Sequence, residues 1–162
     1  MSMIGLAVGL SVLAVQAEPL PDWRMIGSRS GMVFAVRTGT IDPDGPGHRI
    51  AEVLTIYTRT QNGTSSDLPR YDYRIERMRV GCDQFGLVSL AAYFFTEDGQ
   101  TVQTPADYNP TVERGSIADA DLAAAVCGRS RPMGPDFASA SDFTRRLRAN
   151  LRANASQGRP AS

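Results

Sequence analysis

The sequence predicts an α+β domain in which an antiparallel sheet forms before the helical part of the chain begins. Between residues 32 and 103, segments dense in Val, Ile, Thr, Tyr and Phe alternate with turn-forming residues, which is typical of antiparallel strands. Helical periodicity appears only after residue 116. The chain has 162 residues, 42% hydrophobic and 21% charged, and this composition is typical of one soluble globular domain.

Residues 1–17 are predicted to be a signal peptide. The apolar run Met3–Val15 is shorter than the roughly 20 residues that a membrane-spanning helix needs, but it fits a signal-peptide core. Ala17 ends a cleavage site of small residues, although no Arg or Lys precedes the run. The alternative is a buried N-terminal helix or strand, which Pro19 and Pro21 disfavour. We expect export to the periplasm, the medium or the cell surface, without a lipid anchor or a transmembrane segment in the mature chain.

Four longer strands are predicted, and their segments are Met32–Val36, Arg49–Thr60, Tyr71–Cys82 and Phe85–Phe95. The preceding Gly27–Gly31 is rich in glycine and serine and is predicted to be a spacer. Asp42–Gly47 is predicted to be a turn, because its resemblance to a calcium loop lacks the remaining ligands. Asp98 and Gly99 predict a hairpin, after which Gln100–Gln103 returns as a short strand.

The apolar residues of Tyr71–Cys82 change parity within the segment. Tyr71, Tyr73 and Ile75 share one face, whereas Met78, Val80 and Cys82 share a face one residue out of step. Because a shift of one residue moves every side chain to the other face of a strand, we expect a β-bulge near Glu76–Arg77.

A short helix is predicted to end near the second of the two cysteines. Ser116–Asp119 resembles a capping box, and Gly128 stands where a helix-terminating glycine belongs. The apolar residues of one helical face are Leu122, Ala123, Val126 and Cys127. Since cysteines of exported proteins are usually paired, Cys82 and Cys127 are predicted to form a disulfide that joins the helix to the sheet.

Residues 131–162 are predicted to be a basic tail that is flexible or partly helical. Ser141–Asn154 has helical periodicity, but only Phe143, Leu147 and Leu151 are apolar on one side. The alternatives are an arm that touches an anionic surface and a frayed, solvated or disordered segment, and so few apolar residues favour the second. On that basis, removal of the chain after about Ser130 is expected to leave the stability of the domain nearly unchanged.

Composition and motifs disfavour several classes of function. Formal net charge is zero, which gives no indication of a nucleic-acid partner. The chain has one histidine, His48, and no nucleophile elbow, because Gly27–Gly31 has arginine at its centre. Two distant cysteines and one histidine have no metal-ligand spacing. We therefore expect a protein that is not an enzyme and that holds no cofactor or metal.

The order of several short motifs resembles the bacterial surface-adhesin protein E family. They are W-x-x-I-G-S at Trp23–Ser28, a long strand ending in Cys82, Y-F-F…D-G-Q at Tyr93–Gln100, Pro110, Gly115–Ser116, and a helix ending in Val126–Cys127. The resemblance covers about two thirds of the chain and predicts a sheet-and-helix domain over residues 18–130. It implies a bent antiparallel sheet with one helix tethered to its concave side by a disulfide. Unlike the named adhesin, this chain lacks a lipid-bearing cysteine and has a longer tail.

The resemblance implies an adhesin-like binding module that contacts a protein partner, such as a matrix or envelope protein, through its sheet. The alternative is a structural or envelope-assembly component without a host ligand. The strand Phe85–Phe95 is apolar on both faces, so we expect a cover on both. The second cover is either another protein, most commonly a second copy in a homodimer, or the segment around Trp23 or the C-terminal helix.

Overall fold

The structure, a computed structural model, describes residues 22–29, 31–62, 69–83, 86–102, 119–129, 134 and 136–156. The elements of the described residues are β1 (Trp23–Arg29), β2 (Met32–Arg37), a 3-10 turn (Thr38–Thr40), β3 (Asp42–Pro43), β4 (His48–Gln61), β5 (Tyr71–Gly81), β6 (Leu87–Phe95), β7 (Thr101–Val102), α1 (Asp119–Val126), β8 (Asp136–Phe137) and α2 (Ala140–Ser156). The predicted signal peptide and residues 116–118 of the predicted capping box lie outside the described residues.

The described strands form one antiparallel sheet, which confirms the α+β class. Its strand order is β7-β6-β5-β4-β2-β1-β8, and the short β3 pairs with β4 beside this path. Successive strands pair with each other along most of the chain, so the sheet is largely a meander. The exception is β8, which returns from the C-terminal part of the chain to pair with β1.

The four longer predicted strands are confirmed as β2, β4, β5 and β6. The predicted hairpin is confirmed as well, because Gly99 has a φ of 83° and the Thr96 amide donates to the Gln100 carbonyl over 3.0 Å. The spacer expected at Gly27–Gly31 is wrong for its first residues, since β1 continues to Arg29. Pairing with β2, helped by a bulge between Met25 and Gly27, outweighs the low strand propensity of glycine and serine there.

The parity change in β5 reflects two separate hydrophobic cores on opposite faces of the sheet. Tyr73 and Ile75 pack on the face that α2 covers, which we call the α2 face. Met78 and Val80 pack on the opposite face, the α1 face. The bulge expected near Glu76–Arg77 is wrong for β5, which pairs with β4 without a break from Tyr73 to Gly81. The extra residue at this level is in β6: Arg77 pairs with Ala91 and Met78 with Ser89, which leaves Leu90 without an opposite residue.

The helix α1 is fixed to its face of the sheet by packing and by a covalent bond. Leu122, Ala123 and Val126 are buried in the core of the α1 face. Cys127 follows directly after the helix and forms the predicted disulfide with Cys82, with the two Cα atoms 5.7 Å apart. Gly128 has a φ of 73°, and the Arg129 amide donates to the Ala124 carbonyl over 2.7 Å, as expected for a glycine-terminated helix.

The C-terminal segment packs on the sheet, which differs from the loose tail that the sequence favoured. Phe137 of β8 is buried and stacks on Phe143 of α2 with ring centroids 4.1 Å apart. Leu147 packs against the same core, which also contains Trp23. The packed domain therefore extends beyond residue 130, at least to the buried Arg148 of α2. Removal of the chain after Ser130 would uncover this core, so the structure leads us to expect that truncation destabilises the domain.

Arg148 joins α2 to the sheet through a buried guanidinium group. Its side chain is only 6% exposed, and its Nε and Nη2 donate to the Tyr57 carbonyl over 3.0 and 2.9 Å. Its Nη1 forms ion pairs with Asp72 and, over 3.3 Å, with Glu97. Burial by itself raises the pKa of Asp72, but hydrogen bonds from Thr60, Arg148 and the Glu97 amide, together with the charge of Arg148, lower this pKa overall.

Loss of the disulfide is expected to destabilise the domain. The bond closes a loop between residues 45 positions apart, which the chain-entropy model values at about 4 kcal/mol. Because a domain of this size is stable by roughly 5–15 kcal/mol, Cys82→Ser should lower the unfolding temperature substantially. Calorimetry of this variant and of Cys127→Ser measures the effect. Labelling of unreduced protein in denaturant should detect no thiol, and two reactive thiols per chain would contradict the pairing.

Substitution of Arg148 by methionine should cost about 3–5 kcal/mol in the free energy of unfolding, because it leaves Asp72 buried without its cation. Arg145→Met is the matched control on the same helix: Arg145 pairs with Asp142, and both side chains are at least half exposed. This control should change stability by less than about 0.5 kcal/mol. Urea unfolding of both variants at pH 7 makes the comparison, and equal effects would show that Arg148 is not a buried anchor.

The lowered pKa of Asp72 makes the stability of the domain depend on pH. A carboxyl group whose pKa is lower in the folded state than in the unfolded state, where it is about 3.9, stabilises the fold above that value. This stabilisation is lost as the pH falls through the folded pKa. The difference in unfolding free energy between the wild type and Asp72→Asn should therefore be largest at pH 6–7 and should shrink below about pH 4. A constant difference from pH 7 to pH 2 would contradict this assignment.

Candidate functional site

The most distinctive surface of the described residues is an apolar group on β6. Val88, Leu90 and Tyr93 are 52%, 47% and 54% exposed, and no other large hydrophobic residue in the described part of the chain is exposed to this degree. We call these three residues the β6 patch. Their neighbour Phe94 points to the other face and is fully buried. An isolated exposed apolar residue needs no explanation, but three on one short strand form a continuous feature.

The bulge at Leu90 determines which side chains form the patch. Strict alternation along β6 would separate Val88 and Leu90 from Tyr93, because their parity differs. The unpaired Leu90 shifts the alternation by one residue, so that Tyr93 opposite Ile75 and Val88 opposite Arg79 lie on the same α2 face of the sheet. Faces assigned by strict alternation along β6 are therefore wrong beyond this bulge.

The backbone next to the patch lies at an open side of the sheet. Along one side, β6 pairs with β5 over most of its length. Along the other side, β7 pairs only with Phe94 and Phe95. In the ranges that the structure describes, no strand pairs with the outer side of Val88–Tyr93. Strand edges of this kind present backbone donors and acceptors to an additional strand.

Two arginines flank the patch on the adjacent strand. Arg77 and Arg79 of β5 are exposed and stand opposite Ala91 and Val88 of β6. Arg79 is paired, because its Nε lies 2.7 Å from a carboxylate oxygen of Asp44. Arg77 forms no ion pair with any described residue, since the neighbouring Glu52 bonds to Arg37 over 2.6 Å. The β6 patch is thus bordered by a cation that is available to an outside carboxylate.

A buried ion pair lies behind the patch on the α1 face. Arg74 and Glu76 of β5 are each 1% exposed, with 3.1 Å between Nη2 and Oε2. Ser89 of β6 donates to the other carboxylate oxygen of Glu76 over 3.2 Å, so the pair also bonds to the strand that carries the patch. An ion pair of this kind costs much desolvation energy and contributes little net stability, but removal of one partner would leave an uncompensated buried charge.

Sequence reasoning did not find this pair, although a signal exists. Arg74 and Glu76 are separated from the buried Met78 and Val80 by even numbers of positions. In a strand without a bulge, all four side chains therefore point to the same core face. The predicted site residues Cys82 and Cys127 do not take part in the β6 patch. They form the disulfide just beyond the C-terminal end of β5, where it fixes α1.

Other chemistry-bearing groups in the described residues serve the fold. His48 contacts the Pro46 carbonyl within its turn over 2.8 Å. Among the exposed arginines of α2, Arg145 pairs with Asp142, and Arg152 with Glu97. The described residues contain no group of three or more His, Cys, Asp or Glu side chains arranged to hold a metal ion. The same residues contain no helix that is long and apolar enough to cross a membrane.

Comparison with known proteins gives no match to a protein family, to a curated protein sequence or to a solved structure.

Proposed function

We propose that this chain is an exported binding module that contacts a protein partner through the β6 patch. The observation that carries the proposal is the exposure of three large apolar side chains beside an open strand edge. Continuous apolar surfaces on otherwise well-covered domains commonly mark protein contacts. The proposed role agrees with the resemblance to the protein E family, whose named adhesin binds host proteins.

Several properties of the molecule support a binding role outside the cytosol. The Cys82–Cys127 disulfide is the kind of bond that persists in oxidising compartments. The patch lies on a strand that is stiffened from behind by the Arg74–Glu76 pair and by Phe94. A rigid surface loses little conformational entropy when a partner binds, so more of the contact energy remains as binding affinity.

Site-specific photocrosslinking in cells that produce the full chain tests this proposal. A photoreactive phenylalanine analogue replaces Tyr93 in one variant, Leu90 in a second and the exposed Arg29 of β1 in a third, which is the control. We expect a discrete protein adduct from the first two positions and none from Arg29. The adduct should weaken when Val88→Asp is introduced into the Tyr93 variant.

Two further measurements make the test decisive. The crosslinked partner is identified by mass spectrometry, and protease added to intact cells establishes whether the module is displayed outside or held within the envelope. Circular dichroism of Val88→Asp establishes that the variant is folded, which is expected because the substituted side chain is half exposed. Adducts of equal yield at all three positions, or at Arg29 alone, would overturn the proposal.

A further inference from the structure

We propose that the outer edge of β6 binds an extended segment of another protein as an added β-strand, with an acidic side chain of that segment facing Arg77. This inference rests on the proposed function and names how the partner is bound. It follows from the open strand edge, the limited area of the patch and the charge beside it.

The length of the open edge suits a short peptide segment. Val88–Tyr93 provides six residues, which span about 20 Å at the usual rise of a strand. Peptide segments that add to a sheet edge obtain affinity from backbone hydrogen bonds and specificity from alternate side chains. An added strand would place every second side chain on the α2 face, beside Val88 and Tyr93.

The edge also lacks most of the features that prevent strand addition. Natural edges are commonly protected by lysine, proline or inward-pointing charges, and Leu87–Phe95 contains none of these. The bulge at Leu90 is the one protective feature. The bulge interrupts the regular spacing of backbone donors and acceptors along the edge. Because of this, a segment is able to pair with β6 in only a few registers.

The area of the patch disfavours a purely side-chain contact. Three half-exposed side chains offer on the order of 300 Å², whereas each partner of a standard protein interface contributes about 800 Å². Backbone pairing with an added strand supplies contact that does not depend on exposed apolar area. A partner that contacts both the small patch and the open edge would therefore bind more tightly than a partner that contacts only one of them.

The charge beside the patch disfavours a second copy of this chain as the occupant. The segment Leu87–Phe95 contains no acidic residue, so a copy that paired through the same strand would bring no carboxylate to Arg77. In addition, β7 of each copy would stand at the end of the shared edge and confine the pairing to six residues. A segment of a different protein that carries apolar residues and an acidic residue at every second position, on one face, satisfies both the patch and the guanidinium group.

Synthetic peptides provide the test with the intact, unreduced protein. The first is an N-acetylated, C-amidated nine-residue peptide with valine at positions 3 and 7, glutamate at position 5 and threonine elsewhere, so that valine and glutamate share one face. The second replaces the glutamate by lysine. Two further versions of the glutamate peptide carry N-methyl groups on alternate amides, one on each edge of the strand. Isothermal titration and amide hydrogen exchange by NMR measure affinity and the site of protection.

We expect the glutamate peptide to bind and to slow exchange of outward-facing β6 amides between Val88 and Tyr93. N-methylation should abolish binding on one edge of the peptide only, because a single edge pairs with β6. Arg77→Glu should weaken the glutamate peptide about tenfold and strengthen the lysine peptide, whereas Arg29→Glu, a charge change at an exposed site on β1, should change neither.

Distinct failures separate this inference from the proposed function. Binding that tolerates N-methylation on both edges, or that leaves the β6 amides unprotected, would overturn strand addition while the crosslinks to Tyr93 and Leu90 still support a binding module. Absence of peptide binding combined with self-association that Tyr93→Asp abolishes would overturn it in favour of a second copy. Absence of both peptide binding and crosslinks would overturn the inference and the proposed function together.

Discussion

The central constraint on this fold is that the middle of the sheet is apolar on both faces, so each face needs its own cover. Ala51 and Val53 of β4 belong to the core of one face, and Leu54 and Ile56 to the core of the other. Burying only one of these sets would leave the other in water at a cost of about 1.5–3 kcal/mol for each large side chain. The chain meets the constraint with two helices that follow the sheet in sequence, one for each face.

The two covers are attached by different chemistry. A disulfide attaches α1, whose eight residues bury only a small apolar surface. The longer α2 is attached by Arg148, whose guanidinium group bonds to a strand carbonyl and to two carboxylates at once. Arginine suits this role because its planar group holds several donors in fixed directions, which a lysine ammonium does not. The helix then shields Asp72 from water, which strengthens the attraction between Asp72 and Arg148.

The sequence predicts the parts of this fold that depend on local pattern. Strand propensity identified β4 and β5 to within a few residues, and the aspartate–glycine pair identified the hairpin after β6. The role of α2 was not predictable in the same way. Several arginines on a helix normally indicate a solvated face, and Arg148 differs from its neighbours only because Asp72, 76 positions earlier, lies beneath it. A buried ion pair between distant residues leaves no periodic signal.

The candidate site shows the same limit. The apolar character of β6 was visible in the sequence, but the composition of its exposed face depended on where the extra residue of the bulge lay. The sequence showed a parity change in β5, for which a bulge and two cores are equally good explanations. Only the pairing of Arg77 with Ala91 and of Met78 with Ser89 distinguishes them, and this pairing is a property of the assembled sheet.

The open β6 patch follows from the width of the sheet relative to its cover. A helix is about 10 Å in diameter with its side chains, and strands are about 4.8 Å apart, so one helix covers roughly two strands. On its face, α2 lies over β4 and buries Leu54 and Ile56, while β6 stands two strands away. The side chains of Val88, Leu90 and Tyr93 therefore stay about half exposed, and polar residues at these positions would cost the fold less than polar residues in either core. The fold therefore requires their apolar character only in part, and this is the observation on which the proposed protein contact rests.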